Sequence, residues 1–524
     1  MTLRYRFIDL TSITDVSQLL QAAKLQSASM LQAPNKPSIP LHSVFECLKK
    51  VGAQTLLVQE SVRDPDFTAE HQAFYSKQHR PVERTCWRLH GFSVPMPKLS
   101  DATGTAARDV LDFLDGVSEQ NYLGFVTIRP LRHAPVGASI LVPPQNGVVT
   151  CHEQFPVHIA GKSFQVCGTP FLQQDNAVGA CAQASIWIAL RTQMKRVGNI
   201  AYTPAELTLA ATRYLAFDRV FPGRQGLVIE QMLEAIRSSG HDPLTLTCGS
   251  GTAVEPHTVI EAALPYVESG LPVIATLFHQ NGGHAVVCIG RSFKLGEVNP
   301  TPQRLRTYEY NIASDWVESL VVHNDNTGPY LPLASGNAKS DEYCLEHARN
   351  LIIPLPETVH MTAKEAEQSA LGAVAFASVF LTQFKSNAPK LAPDIAIVLR
   401  TYLVRRHTFR RWALEDPDID PALRDRYRTM ELPKLVWFVE LHETSLFNPK
   451  NPDSKSRVGE VVIDASADSL HGDAALAVHV MQHMYPKHAG DEVPLALAAF
   501  VGDYANLLRL DSNQRGCSMP NPWQ

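Results

Sequence analysis

Three separated places in the chain carry residues that could together perform nucleophilic catalysis. Cys181 stands where a predicted helix begins, and the unpaired backbone N–H groups and dipole of a helix start favour a thiolate. His284 follows two glycines and opens an apolar strand, which places an imidazole beside a turn. Asn324 and Asp325 end a later apolar strand and could orient that imidazole. Cysteine, histidine and an amide or carboxylate in this order predict thioester chemistry.

Each of these residues also has a simpler interpretation when taken alone. A single free cysteine is more often a small buried core residue than a reactive one. A histidine that opens a strand is more often structural, and strand ends rich in asparagine, aspartate and glycine are usually plain turns. Only the ordered combination is specific.

The elements that would position these residues follow a simple order. Helical spacing of apolar residues comes first, and four β-type runs follow it. Helices followed by an antiparallel sheet predict an α+β domain and exclude a repeating βαβ unit. The predicted helices cover residues 180–194, 227–239 and 257–269, and the predicted strands cover 271–278, 284–289, 316–323 and 350–354.

With 524 residues, the chain is too long for one ordinary core, and three regions are predicted. Residues 1–150 form a mixed α/β N-terminal region, residues 151–360 the region that holds the chemistry, and residues 361–524 a mixed α/β C-terminal region. A capping box at Thr362 and Glu365 starts the last region. A basic helix over 400–411, strands over 435–441 and 458–463, and a helical tail are predicted to follow.

Composition excludes several classes of protein. Hydrophobic residues make up 45% and charged residues 19%, as in folded globular proteins. With 47 basic against 52 acidic residues, the chain lacks the excess of positive charge that is typical of nucleic-acid-binding proteins. The nine cysteines are scattered without a CxxC pair, which argues against a disulfide framework and a structural zinc site. Neither a signal peptide nor an apolar run long enough to span a bilayer is visible. We therefore expect a soluble cytoplasmic protein that needs no membrane, and its oligomeric state stays open.

The pattern resembles the papain-like cysteine peptidase superfamily. The resemblance rests on Gln174 upstream of Cys181 at a helix start, on Gly-Gly-His284 heading a strand, and on the Asn/Asp pair after a later strand. The C39-like peptidases are the nearest, since their last member is an aspartate followed shortly by glycine, as in Asp325-Asn-Thr-Gly328. The resemblance covers about residues 160–355. Residues 86–90 and 122–130 resemble segments of uncharacterised bacterial proteins with C39-like domains.

This resemblance implies a central papain-like fold, with N-terminal helices and an antiparallel sheet, and a role for each residue. Cys181 would be the nucleophile, His284 the base and then the acid, and Asp325 the residue that orients His284, with Asn324 as the alternative. Gln174 and the backbone N–H of Cys181 would bind the oxyanion. The family has its glutamine six residues before the cysteine, where this chain has Asp175. Gln174 and Gln173 are the nearest amides, and which of them serves the oxyanion stays open. Ala182 replaces the usual tryptophan or glycine.

The implied function is that of a cysteine-dependent hydrolase, foremost a peptidase that cleaves a peptide or isopeptide bond of a protein or peptide substrate. Deamidation or acyl transfer by the same residues stays open, and so does an inactive peptidase fold that only binds a partner. No cofactor is expected.

Two weaker signals point elsewhere and are interpreted as structural. His479 and His483 lie four residues apart on a predicted helix over 473–484, but a third ligand and the glutamate of a zinc hydrolase are missing, so no metal is predicted. The arginine-rich run over 400–411 is followed by acidic residues and is interpreted as an internally paired or solvated helix face instead of a nucleic-acid surface.

Overall fold

The structure is a computed structural model that describes residues 5–25, 38–79, 81–100, 107–145, 147–175, 181–213, 227–249, 253–279, 282–305, 308–337, 342–384, 396–417, 419–451, 455–468, 474–481, 483–486 and 495–496. Its helices are α1 (Val16–Ala22), α2 (Ile39–Lys50), α3 (Pro65–Ala73), α4 (Ala107–Gly116), α5 (Cys181–Val197), α6 (Pro204–Ala211), α7 (Ile229–Ser238), α8 (Pro256–Glu268), α9 (Ala363–Phe384), α10 (Arg406–Glu415) and α11 (Pro421–Thr429). Short 3₁₀ turns lie at Leu10–Ser12, Tyr75–Lys77, Glu119–Asn121, Ala313–Trp316 and Leu345–His347.

The strands are β1 (Tyr5–Asp9), β2 (Thr55–Val62), β3 (Cys86–Phe92), β4 (Tyr122–Ile128), β5 (Ile140–Leu141), β6 (Val148–Val149), β7 (Glu153–Ile159), β8 (Lys162–Gly168), β9 (Asp242–Thr247), β10 (Val273–His279), β11 (Gly282–Phe293), β12 (Gln303–Leu305), β13 (Tyr308–Ile312), β14 (Val317–Asn324), β15 (Gly328–Ala334), β16 (Ala348–Leu355), β17 (Ile397–Arg405), β18 (Leu435–Glu443), β19 (Arg457–Asp464), β20 (Ala475–Val480), β21 (His483–Pro486) and β22 (Leu495–Ala496).

The N-terminal sheet is an antiparallel meander in the order β1-β2-β3-β4-β5. The β7–β8 hairpin packs on it through aromatic contacts, such as the rings of Phe92 and Phe164, whose centroids lie 5.7 Å apart. The hairpin strands mix buried and more exposed residues, since one face of the hairpin meets the core.

The central sheet has the order β15-β14-β11-β10-β16-β9, and β6 also pairs with β11. Its pairs are antiparallel. Helices α5 and α8 pack on β11, the longest strand of this sheet. The chain is therefore an α+β protein, as the order of sequence signals predicts.

The third sheet joins the central and C-terminal regions of the sequence. Its order is β12-β13-β17-β18-β19-β20-β21-β22, and β13 pairs in parallel with β17, with Tyr310 opposite Ile397. A buried ion-pair network also crosses this boundary, because Glu268 of α8 pairs with Arg291 at 2.6 Å and with Arg400 at 2.9 Å. One cluster of buried apolar residues extends from Ile8 to Val480.

Three sequence predictions about the C-terminal region are wrong. The arginine-rich run is not one helix: it begins in β17, where Arg400 is buried and paired with Glu440, and α10 starts only at Arg406. His479 lies on β20 and His483 on β21, as antiparallel strands instead of one helix. Residues 475–480 and 483–486 are strand, where a helical tail was predicted. Burial decides these cases, since a fully buried strand carries the same apolar residues as a buried helix.

The capping box at the start of the C-terminal region is confirmed. The Thr362 N–H and hydroxyl both donate to Glu365 Oε2 at 2.7 Å, and the Glu365 N–H donates back to Thr362 Oγ1 at 3.3 Å. Among the described residues, no helix is both long and apolar enough to cross a bilayer.

Candidate active site

The candidate general base lies at the beginning of the central strand of its sheet. β11 starts two residues before His284, and His284 is opposite Leu277 of β10. Only 4% of His284 is exposed. The two preceding glycines are exposed, so His284 is the first buried residue of β11. The predicted position of this histidine near a strand start therefore matches the local structure, whereas residues 280–281 of the predicted turn lie outside the described residues.

Both ring nitrogens of His284 face asparagine side chains. Nε2 lies 2.9 Å from Asn324 Oδ1, and Nδ1 lies 3.3 Å from Asn326 Nδ2. An acceptor at Nε2 and a donor at Nδ1 select the tautomer that carries its proton on Nε2 and a lone pair on Nδ1. Asn324 Oδ1 also accepts the Asn326 backbone N–H at 3.0 Å, which fixes the asparagine that holds the ring.

Asp325 lies behind this hydrogen bond as a buried carboxyl group. Its Oδ1 is 3.6 Å from His284 Nε2, beyond hydrogen-bond range but close enough for charge interaction, and the residue is 2% exposed. Neither carboxyl oxygen accepts a hydrogen bond from another described side chain. Burial raises the pKa of Asp325 to about 6, although the nearby His284 lowers it. Asn324 thus makes the direct bond to the ring, and Asp325 contributes charge.

Helix α5 brings its first turn to the same place. Cys181 begins the helix, and its side chain lies outside the described part of the structure. Ser185, one turn later on the same face, donates its hydroxyl to the carbonyl of Ala285 at 2.9 Å. Because Ala285 is the neighbour of His284, this bond ties the Cys181 end of the helix to the start of β11.

The segment that carries the candidate oxyanion glutamine runs past the end of β14. His323 Nδ1 lies 3.2 Å from the carbonyl of Pro170, so the segment passes beside the residue that precedes Asn324. The Gln173 side chain is engaged elsewhere, since its Oε1 accepts the Val136 N–H at 3.1 Å. Gln174 is different: its Oε1 is buried and has no hydrogen-bond partner among the described residues. The Oε1 atom of Gln174 is therefore not held by a described backbone group, as that of Gln173 is.

An aromatic side chain that the sequence did not single out covers His284. The Tyr343 ring lies 4.9 Å from the imidazole, centroid to centroid, with 31° between the planes. His279 and His347 also contact Tyr343, at 4.6 and 6.1 Å between ring centroids. Tyr343 precedes a 3₁₀ turn between two strands, where no periodic pattern marks it, so the sequence carried no signal for this contact.

Four of the other described cysteines are poor nucleophiles. Burial raises the pKa of Cys47 to about 12 and the pKa values of Cys248 and Cys344 to about 11, and it also raises the pKa of the Cys288 thiol. Cys344 lies 3.4 Å from His347 Nδ1 but remains a thiol at neutral pH for this reason. Cys167 is disulfide-bonded, contrary to the expectation of unpaired thiols.

Of the two histidines considered as metal ligands, His479 is held by other contacts. His479 Nδ1 lies 2.8 Å from Glu460 Oε1, and its Nε2 lies 2.9 Å from the Met481 carbonyl. Within the described ranges, no group of three or more His, Cys, Asp or Glu side chains is arranged to hold a metal ion. No protein-family model matches the chain, and no curated protein matches it either.

Proposed function

We propose that the protein is a cysteine-dependent hydrolase of the papain-like type, with Cys181 as nucleophile and His284 as base. The observation that carries the proposal is the His284 Nε2–Asn324 Oδ1 contact of 2.9 Å, with the Asp325 carboxyl group 3.6 Å away. It holds a buried imidazole in the tautomer whose lone pair is at Nδ1, the form that a general base requires. The Asn326 amide, 3.3 Å from Nδ1, must release this lone pair before Nδ1 takes a proton.

The chemistry follows from these positions. His284 Nδ1 takes the thiol proton of Cys181, and the thiolate attacks a carbonyl carbon to form an S–C bond. The backbone N–H of Cys181 and the amide of Gln174 bind the oxyanion. The C–N bond then breaks as the imidazolium gives its proton to the leaving amine, which leaves a thioester. Water, deprotonated by His284, attacks the thioester, and the acid leaves while the thiol recovers its proton.

Asn324 and Asp325 stabilise the imidazolium of His284 in different ways. Asn324 fixes the plane of the ring through a direct hydrogen bond, and the Asp325 carboxylate opposes the positive charge that His284 gains. A cysteine–histidine ion pair is stabilised by both, because the low dielectric of a buried site strengthens charge interactions.

The proposed substrate is a protein or peptide with a peptide or isopeptide bond, acted on in the cytoplasm. Deamidation and acyl transfer share the first half of the reaction and differ only in the group that leaves or the acceptor that attacks. An inactive binding module is the competing proposal. Against it stands Asp325, because a buried carboxyl group that accepts no hydrogen bond from another described side chain costs stability, and such groups occur mainly where they have a function.

Thiol labelling tests the proposal without knowledge of the substrate. Iodoacetamide at pH 6, applied to the protein after reduction and removal of the reductant, should alkylate Cys181 about 100-fold or more faster than Cys248, whose pKa of about 11 keeps it protonated. p-Nitrophenyl acetate should release one equivalent of nitrophenol in a burst and then turn over slowly. Cys181→Ala should abolish both reactions.

Two controls separate catalysis from folding. Cys248→Ala should leave both reactions unchanged. His284→Ala should make the alkylation of Cys181 fast only at pH values near the pKa of an ordinary thiol. Equal alkylation of Cys181 and Cys248 at pH 6 would contradict the proposal and favour the binding module.

A further inference from the structure

The N-terminal region supplies one helix that contacts both sides of the candidate active site. α3 is a short, well-fixed helix: Asp64 caps it by accepting the Phe67 N–H at 3.1 Å, and Arg88 pairs with the same Asp64 at 2.8 Å. Asp66 and Glu70 lie four residues apart, hence on one face of the helix, and both are buried. Buried carboxylates are stable only with partners, and these partners lie in the central region or reach into it.

The first contact of α3 holds the helix that begins at Cys181. Asp66 Oδ1 accepts the indole N–H of Trp187 at 3.2 Å, and Asp66 Oδ2 lies 3.3 Å from Arg191 Nη2. Trp187 and Arg191 are both on α5. The position of α5 relative to α3 is thus set by two buried or half-buried donors on one carboxylate.

The second contact holds the segment upstream of Cys181 through an arginine. Arg129 follows β4, is fully buried, and donates Nη1 to Glu70 Oε2 at 2.9 Å. Its Nη2 donates to the carbonyl of Gln173 at 2.5 Å. Because one guanidinium bridges Glu70 and this carbonyl in a planar fork, the backbone just before Gln174 has a fixed position relative to α3.

The third contact lies on the other side of Gln174. The hydroxyl of Tyr75, just after α3, donates to Asp175 Oδ2 at 2.6 Å. Burial raises the pKa of Tyr75, so the hydroxyl stays protonated and remains a donor. Gln174 is therefore flanked by two anchored residues, while its own Oε1 makes no hydrogen bond to the described residues.

We propose that Tyr75 and Arg129 are positioning residues that set the Gln174 amide, through Asp175 and Gln173, at the oxyanion site beside Cys181. This inference rests on the proposed function. It gives the N-terminal region a role in the reaction, because α3 is the common reference for the nucleophile helix and the oxyanion segment. It also accounts for Asp175 at the place where the peptidases that the sequence resembles have glutamine: here that residue anchors the segment.

The test compares two reactions of the same thiol. Alkylation by iodoacetamide needs only the thiolate, whereas acylation by p-nitrophenyl acetate passes through a tetrahedral oxyanion. Tyr75→Phe should slow acylation about tenfold or more, because a displaced oxyanion donor loses much of its effect, and should change alkylation less than about twofold. A loss of folding would slow both reactions in parallel, so the ratio of the two rates reports positioning alone.

Matched variants complete the experiment. Tyr427→Phe removes a comparable buried hydroxyl, which donates to Glu460 at 2.5 Å in the C-terminal region, and should leave the ratio unchanged. Gln174→Ala should lower the ratio, and adding Tyr75→Phe to it should have no further effect. If Tyr75→Phe does not fold, Asp175→Ala replaces it with the same expectation.

The outcomes distinguish this inference from the proposed function. Suppose that Cys181 of the wild type reacts selectively with both reagents. If Tyr75→Phe then leaves the ratio of acylation to alkylation at the wild-type value, or lowers it further when added to Gln174→Ala, the positioning role is overturned and the hydrolase proposal stands. A wild-type Cys181 that reacts with neither reagent would overturn both.

Discussion

Replacing Asp325 by asparagine should stabilise the protein above pH 6 while slowing its chemistry. The carboxyl group is 2% exposed, and neither oxygen has a hydrogen-bond partner among the described side chains. Burial raises its pKa from 3.8 to about 6, so the folded state holds the proton more tightly than the unfolded state does. Stability from this group is therefore greatest at low pH and falls as the pH rises from about 4 to about 6.

The size of the effect follows from the two pKa values. A difference of about two pH units corresponds to about 3 kcal/mol of unfolding free energy. Asp325→Asn removes the ionisation, so its free energy of unfolding should exceed that of the wild type by up to about 3 kcal/mol at pH 7 to 8, with the difference vanishing near pH 4. Urea denaturation at intervals of one pH unit measures this directly.

Glu440→Gln provides a control of opposite sign. Burial alone would raise the pKa of Glu440, but Arg400 at 2.8 Å, together with His442 and Arg457, lowers it to about 2. Its contribution is present above about pH 4.5 and is lost as the pH falls toward 2, so Glu440→Gln should destabilise the protein at pH 7 by about 3 kcal/mol or more. Parallel curves for wild type and Asp325→Asn between pH 4 and pH 7 would refute the electrostatic reasoning about Asp325.

Two further substitutions test the geometry around the same strand. Asn324→Ala removes the acceptor for His284 Nε2. It should lower the free energy of unfolding, measured in urea, by about 1–3 kcal/mol and slow the alkylation of Cys181 by iodoacetamide at pH 6. An unchanged alkylation rate would exclude Asn324 as the orienting residue. Gly290→Ala would place a Cβ 2.2 Å from the Val148 carbonyl oxygen, so a lower melting temperature is expected. Gly372→Ala places its Cβ in open space on α9 and should raise the melting temperature slightly. Equal effects of the two substitutions would contradict the close approach of Gly290 to Val148.

The sequence by itself determined three helices and four strands of the central region, but it did not predict α6 or the strands β7, β8, β9, β12, β13 and β15. Alternating and helical spacing predicted α5, α7 and α8 and strands β10, β11, β14 and β16 to within a few residues. The capping box at Thr362 is likewise local, because all its partners lie within four residues. Such patterns are readable since each depends on neighbours in the chain. The same reasoning failed for β17 and β20, where burial on both faces removes the alternation that marks a strand.

Only the tertiary structure decided how the candidate site is assembled. The order of cysteine, histidine and Asn/Asp could be read from the chain, but whether Asn324 or Asp325 bonds to His284 depends on the pairing of β11 with β14 and on the turn after it. The contacts of Tyr75 and Arg129 with the segment around Gln174 span 100 and 44 residues, and no local pattern records them. The chemistry-bearing residue types are a property of the sequence, whereas their distances, burial and charge environment arise only when distant segments pack together.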